Sequence, residues 1–143
     1  MPRHSAPPPP TPDTPVDMKE TVEALSEFRY RLRRFLRFAE NSARAEGITI
    51  LHYQVMLHCC AFAGREWATI GEIAERLQTQ HHGAVALVSR CEESGLVERR
   101  PDPDDRRQVQ VHLLPKGRKI LYKLAKTNRT QLPALHAAIK VLG

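Results

Sequence analysis

Between Thr69 and Leu113 the hydrophobic period switches from that of a helix to that of a strand, and the switch falls at Gly95. No other feature of the chain constrains its fold as much. Thr69 and Glu72 form a T-x-x-E capping box, and Ile70, Ile73, Ala74 and Leu77 supply one apolar face, so a short helix is expected over 70–77. Only Gln78, Thr79 and Gln80 separate it from a second helical pattern in Ala84, Leu87, Val88 and Cys91, which Gly95 ends from the position just past the helix. Two helices joined so tightly make a helix-turn-helix. After Gly95 the residues 96–100 read as a strand and 101–105 as a turn, and Val109, Val111 and Leu113, alternating with Gln110 and His112, read as a returning strand. A helix-turn-helix followed at once by a hairpin is a winged helix, an arrangement used chiefly on nucleic acid.

The flanks are helical. From Met18 to about Ala45, Val22, Leu25, Phe28, Leu32, Phe35, Leu36 and Ala39 recur at spacings of three and four. Arg29, Arg31, Arg33, Arg34 and Arg37 cover the other sides, either as a solvated face paired with glutamates or as an anion-facing patch. Gly47 breaks this helix, and Thr49 caps a second one expected over 50–63, apolar nearly all round and closed by Gly64. From Lys116 the helical period returns in Ile120, Leu121, Leu124 and Ala125, and again after Pro133 in Leu135, Ala138, Ile139 and Leu142. These terminal faces are too narrow for a core of their own, and together with the first helix they are best explained as a dimer interface. The expected fold class is mainly α with a small β-wing: a winged helix-turn-helix flanked by N- and C-terminal dimerisation helices. Residues 1–17, with seven prolines, read as a disordered tail, and 18–143 as one domain. Within it, 18–47 and 117–143 are the dimerisation helices and 48–116 the winged-helix lobe.

Charge narrows the range of partners. The 143 residues carry a net +6, but the seven basic residues from Lys116 onward face no acids, and 18–115 hold 14 charges of each sign. A uniformly basic, nonspecific polyanion binder is therefore less favoured than a protein that places individual charges. No stretch approaches the roughly 20 apolar residues of a membrane-spanning helix, and no secretory signal is visible. Three cysteines, Cys59, Cys60 and Cys91, two of them adjacent, suit reduced thiols in the cytoplasm.

The run TIGEIAERLQTQHHGAVALVSRCEESGLVERRPDPDDRRQVQVHLLPKG, residues 69–117, resembles the MarR family of bacterial transcriptional regulators. The specific pieces are Glu93-Ser94-Gly95-Leu96-Val97, Asp105-Arg106-Arg107 matching a D-x-R wing signature, and Gly117 opening the next helix. The resemblance implies a homodimer with intertwined terminal helices that binds pseudo-palindromic double-stranded DNA operators, mostly as a repressor. Many such proteins release DNA when a small, often anionic aromatic compound or an oxidant arrives. Each recognition helix would enter a major groove roughly 34 Å from its mate.

With Ala84, Leu87, Val88 and Cys91 facing the core, His81, His82, Val85, Ala86 and Ser89 are left to reach base edges. Thr79 and Gln80 lie at the helix start, placed for backbone phosphate with the first-turn amides, and Arg90 either contacts phosphate or pairs with Glu92 or Glu93. Gly83 departs from the family's frequent Ser or Thr, which means a helix that starts later or a backbone unusually near DNA; the later start is preferred. In the turn, the Asp105 carboxylate can orient Arg107, which by resemblance enters the minor groove, while Arg106 lies on phosphates. Leu114 replaces the family's usual Thr, so a helix cap is expected to be missing.

An effector would lie, by resemblance, between the dimerisation helices and the winged helix, where Tyr30, Arg44, His52, Tyr53 and Trp67 supply aromatic walls and anion partners. No catalytic constellation and no cofactor site is legible, and the adjacent cysteines beside His58 do not have zinc-ligand spacing. Two alternatives remain. One is a redox-switched regulator using Cys59 and Cys60, although the first helix lacks the thiol of the family's best-known oxidant sensors. The other is a winged helix that binds protein rather than DNA.

Overall fold

The computed structural model describes residues 7–8 and 15–142. Most of the proline-rich tail, 1–6 and 9–14, lies outside the described residues. The elements are α1 (Pro15–Ala45), α2 (Ile50–Cys59), β1 (Trp67–Thr69), α3 (Ile70–Leu77), α4 (His81–Glu93), β2 (Val97–Pro101), β3 (Val109–Leu113), α5 (Pro115–Arg129) and α6 (Leu132–Leu142). This is the mainly helical architecture with a small β-wing that the sequence implies. The chain divides into two compact units, one of 1–36 with 131–143 and one of 37–130.

In the first unit α1 starts at Pro15, ahead of the expected Met18, because proline is well accommodated in a helix's first turn and Asp17 adds a favourable charge there. Lys19 pairs with Glu23 and Arg31 with Glu27, each four residues apart on solvated surface, and Arg34 lies over the Tyr30 ring at 5.8 Å. Of the five arginines Arg29, Arg31, Arg33, Arg34 and Arg37, Arg31 is thus ion-paired as a solvated face requires. Met18, Val22, Leu25 and Leu36 of α1, and Leu132 and Ile139 of α6, are exposed.

The second unit is the winged helix with its supports. Its sheet has the order β1-β3-β2, all antiparallel, with Trp67 opposite His112 and Val97 opposite Leu113. Hydrophobic periodicity does not announce β1, because three residues with one buried member, Ala68, are too short to show alternation. Val55, Met56, Ile73, Val88, Cys91, Leu96 and Val111 are fully buried and join α2, α3, α4 and the sheet into one core. The tight turn between α3 and α4 is made by Gln78, a non-glycine at φ 52°, whose side-chain amide donates to the Glu75 carbonyl at 2.7 Å.

Helix α2 ends at Cys59, short of the expected Ala63: the Cys60 amide turns back to the carbonyls of Leu57 and His58. Leaving the helix lets Phe62 stack with two guanidinium groups, Arg65 at 4.3 Å and Arg76 at 4.8 Å, and Arg65 also lies 4.5 Å over Trp67. Arg65 grips both oxygens of Glu72, and Glu72 accepts the Thr69 amide at 2.9 Å while its own amide donates to Thr69 Oγ1, so the capping box is present as read.

Burial holds His52, His58 and His112 below the ordinary imidazole value of 6.5, with Arg90, Arg76 and Arg100 respectively adding to the effect. The Arg65 hydrogen bond, foremost, holds the Glu72 carboxyl below its usual 4.5. The unfolded chain therefore binds more protons than the folded one below pH 6.5, and the Glu72 contribution is lost as pH falls further through the carboxylate range. The melting temperature is expected to be highest at about pH 7–8, to fall steadily on acidification and to fall again as pH rises through the thiol range of the buried cysteines; a melting temperature unchanged from neutrality to pH 4.5 contradicts the histidine and carboxylate assignments.

Helix α5 starts at Pro115 after Leu114, which makes no side-chain cap, as the missing threonine implies. Instead the Leu114 amide donates to the Leu96 carbonyl at 2.9 Å. The approach is so close that a Cβ on Gly117 would stand 2.2 Å from that carbonyl oxygen.

Candidate nucleic-acid interface

Helix α4 begins at His81 with Gln80 as N-cap, and no side chain caps it. The expectation of a later start is therefore corrected: Gly83 lies inside the first turn. Its missing side chain has a local reason, because a Cβ there would stand 2.8 Å from Thr79 Oγ1. His81, His82, Ala86 and Arg90 are exposed, and so are Thr79 and Gln80 ahead of the helix. Val85 and Ser89 differ from the expectation of outward-facing side chains. Val85 is half-buried against the core, and Ser89 is engaged from within the protein.

The group that engages Ser89 is Arg99, on β2. Its Nη2 donates to Ser89 Oγ at 2.6 Å and to the Val85 carbonyl at 3.1 Å, its Nη1 donates to Glu92 Oε1 at 3.1 Å, and its amide donates to Glu92 Oε2 at 2.8 Å. One side chain thus pins the outer length of α4 to the strand behind it. Glu92 is taken by this contact, so Arg90 keeps its exposed guanidinium without the Glu92 pair considered for it. Sequence reasoning missed Arg99: in an alternating strand it reads as an ordinary solvent-facing charge, and its acceptors lie 7, 10 and 14 residues away.

Beyond Pro101 the chain forms the wing turn. Asp105 Oδ1 accepts both the Arg107 amide at 3.0 Å and Arg107 Nε at 3.3 Å, which is the orienting contact that the two-residue spacing allows. Arg107 is nevertheless 92% exposed, and Arg106 is exposed beside it. A guanidinium fixed by its base yet turned to solvent is ready to meet a partner anion.

The five residues expected around an effector are dispersed within and beyond the second unit. Tyr53 is buried in the core, and Trp67 stacks on His112 with ring centroids 6.1 Å apart. Arg44 pairs with Glu40 at 3.4 Å on open surface, and Tyr30 belongs to the first unit. His52 alone of the four in the second unit lines the cavity of about 470 Å³ formed there with Glu46, Ile48, Glu93, Leu96 and Lys116. Of its wall carboxylates Glu46 is paired with Lys123 at 2.9 Å, and Lys116, also on the wall, is drawn to the Ser94 carbonyl at 3.1 Å.

Cys59 and Cys91 are fully buried and Cys60 partly so. Burial pushes all three thiols up, Cys91 to about 12, so little reactive thiolate forms near neutrality. That counts against a peroxide switch at Cys59 and Cys60. Among the described residues, no three His, Cys, Asp or Glu side chains are grouped as metal ligands, and no helix is long and apolar enough to cross a membrane.

Comparison with known proteins adds an independent line. Residues 46–108 match the family model for the MarR family. The chain is 36% identical over 69 residues to the uncharacterised HTH-type transcriptional regulator YsmB of Bacillus subtilis, an alignment that spans 44% of this chain and about half, 47%, of that protein. Among solved structures it resembles AbsC, a MarR family transcriptional regulator from Streptomyces coelicolor, with a TM-score of 0.69 and 17% identity over 88% of this chain and 82% of that one. It also resembles a cysteine-to-serine mutant of MarR from E. coli complexed with operator DNA, with a TM-score of 0.65 and 20% identity over 82% of each chain. The matched stretch runs from just past α1 through the wing turn, and the fold likeness reaches well beyond it: residues 46–108 are similar to the MarR family, and the chain has the winged helix-turn-helix fold of those solved structures.

Proposed function

We propose that the protein is a cytoplasmic, sequence-specific DNA-binding regulator, a repressor that holds a pseudo-palindromic operator as a homodimer and responds to a small effector. The observation that carries the reading is Arg107, anchored through its amide and Nε to Asp105 yet almost wholly exposed. Such an arginine suits a narrow minor groove, where negative potential is concentrated. The uncapped first turn of α4 offers free amides to a phosphate, and His81, His82 and Ala86 project where base edges would lie. Helix α4 then lies in the major groove with the wing beside it.

The exposed apolar residues of α1 and α6 support self-association, with 18–47 and 117–143 as the dimerisation helices around a lobe of 48–116. The small-effector proposal is centred on the cavity beside His52. The test is Arg107→Ala. It is expected to weaken binding to a specific duplex by roughly 1–3 kcal/mol while leaving a dimer in sedimentation; wild-type affinity in this variant contradicts the wing assignment, and a monomer that binds a palindrome tightly contradicts the dimer.

A further inference from the structure

The wing turn contains an acid that the D-x-R spacing leaves without a role. The connection from Pro101 to Val109 takes in residues 102–108, longer than a tight hairpin turn, so its conformation has to come from its own side chains. Asp102 Oδ1 accepts the amides of Asp104 at 2.8 Å and Asp105 at 3.1 Å, while Gln110 Nε2 reaches Asp102 Oδ2 at 3.4 Å. The loop is closed across its base by the Asp102 amide on the Gln108 carbonyl at 3.2 Å and the Gln108 amide on the Asp105 carbonyl at 3.1 Å. Asp105 in turn holds Arg107. Two carboxylates thus act in series: one fixes the backbone of Asp105, and the other fixes the guanidinium.

We propose that Asp102 is the positioning residue of the wing, building the turn that aims Arg107, so that DNA affinity depends on a carboxylate that carries the wrong charge for DNA. The proposal rests on the DNA-binding reading above. It also runs against simple electrostatics, and that makes it testable. If Asp102 were only a charge near phosphate, its removal in any form would strengthen binding. If it builds the turn, the result depends on whether an acceptor remains at Oδ1. Asparagine retains that oxygen, whereas alanine leaves two amides to water and frees the turn.

The experiment uses the full chain and a duplex that the wild-type protein recovers from a random pool. Asp102→Asn is expected to bind at least as well as wild type, and Asp102→Ala about tenfold more weakly, the equivalent of one to two lost hydrogen bonds. In an Arg107→Ala background, Asp102→Ala is expected to add less than about twofold, since both act through one guanidinium. Three results overturn the proposal: Asp102→Ala binding as well as wild type, Asp102→Asn failing as badly as alanine, or an undiminished alanine effect without Arg107. A second arm needs no DNA. In nitrogen-15 NMR the Asp104 and Asp105 amides and Arg107 Nε should shift strongly in Asp102→Ala and little in Asp102→Asn. Should the wild-type chain recover no duplex, the DNA-binding reading fails, while this arm still decides the turn: unchanged resonances in Asp102→Ala refute it.

Discussion

Gly117→Ala is expected to lower the stability of the second unit by about 3 kcal/mol, seen as a fall of about 10 °C in melting temperature. The added methyl would stand 2.2 Å from the Leu96 carbonyl oxygen and close to its Cα, and both belong to backbone that cannot rotate away. That carbonyl also accepts the Leu114 amide, the contact that stands in for the missing cap of α5. Relieving the clash therefore separates the helix start from the strand that follows α4, and Leu121 and Leu124 on α5 lose depth in the core. Gly71→Ala is the matched control. A Cβ there meets only Thr69 Oγ1 at 3.9 Å, so alanine's better helix propensity should raise stability by up to about 1 kcal/mol. A Gly117→Ala protein that melts with the wild type contradicts the packing described for α5.

Arg99→Ala is expected to cost about 2–3 kcal/mol, because it removes the guanidinium from Glu92 Oε1, the Ser89 hydroxyl and the Val85 carbonyl in a partly buried seam and leaves Glu92 only the backbone amide of residue 99 on Oε2. Arg99→Lys should recover little, since an ammonium cannot serve three acceptors in the planar geometry of a guanidinium. Stability by chemical denaturation measures the loss. DNA affinity should fall as well, because the outer face of α4 is no longer fixed to β2. If Arg99→Ala unfolds at the wild-type denaturant concentration, the seam is not what holds α4.

How much of this was legible in the sequence depended on range. The capping box at Thr69 and Glu72, the helix end at Gly95 and the alternation through Val109, Val111 and Leu113 are local signals with local causes, and the structure repeats them. Elements decided by tertiary contacts were not legible. Helix α2 stops at Cys59 because Phe62 is drawn to Arg65 and Arg76, and β1 exists only because β3 pairs with it. The same holds at the candidate interface. Asp105 and Arg107 lie two apart and their contact could be read from spacing, but Arg99 and Asp102 act on groups that the hairpin and the turn bring to them. In the sequence Gly83 reads as a sign of a late helix start, whereas in the structure its neighbour is the Thr79 side chain.

Net charge is a poor guide to how such a protein would hold DNA. Residues 69–115 carry six basic and eight acidic side chains, a net of −2, so affinity has to come from a few aimed groups rather than from a basic field. The central claim is that two copies of this module read a symmetric sequence with those groups. Selecting duplexes from a random pool with the full wild-type chain tests it most directly. The expected result is enrichment of a two-fold symmetric sequence whose half-sites are about one helical turn apart. Enrichment of no sequence, or of a single site without symmetry, would contradict it.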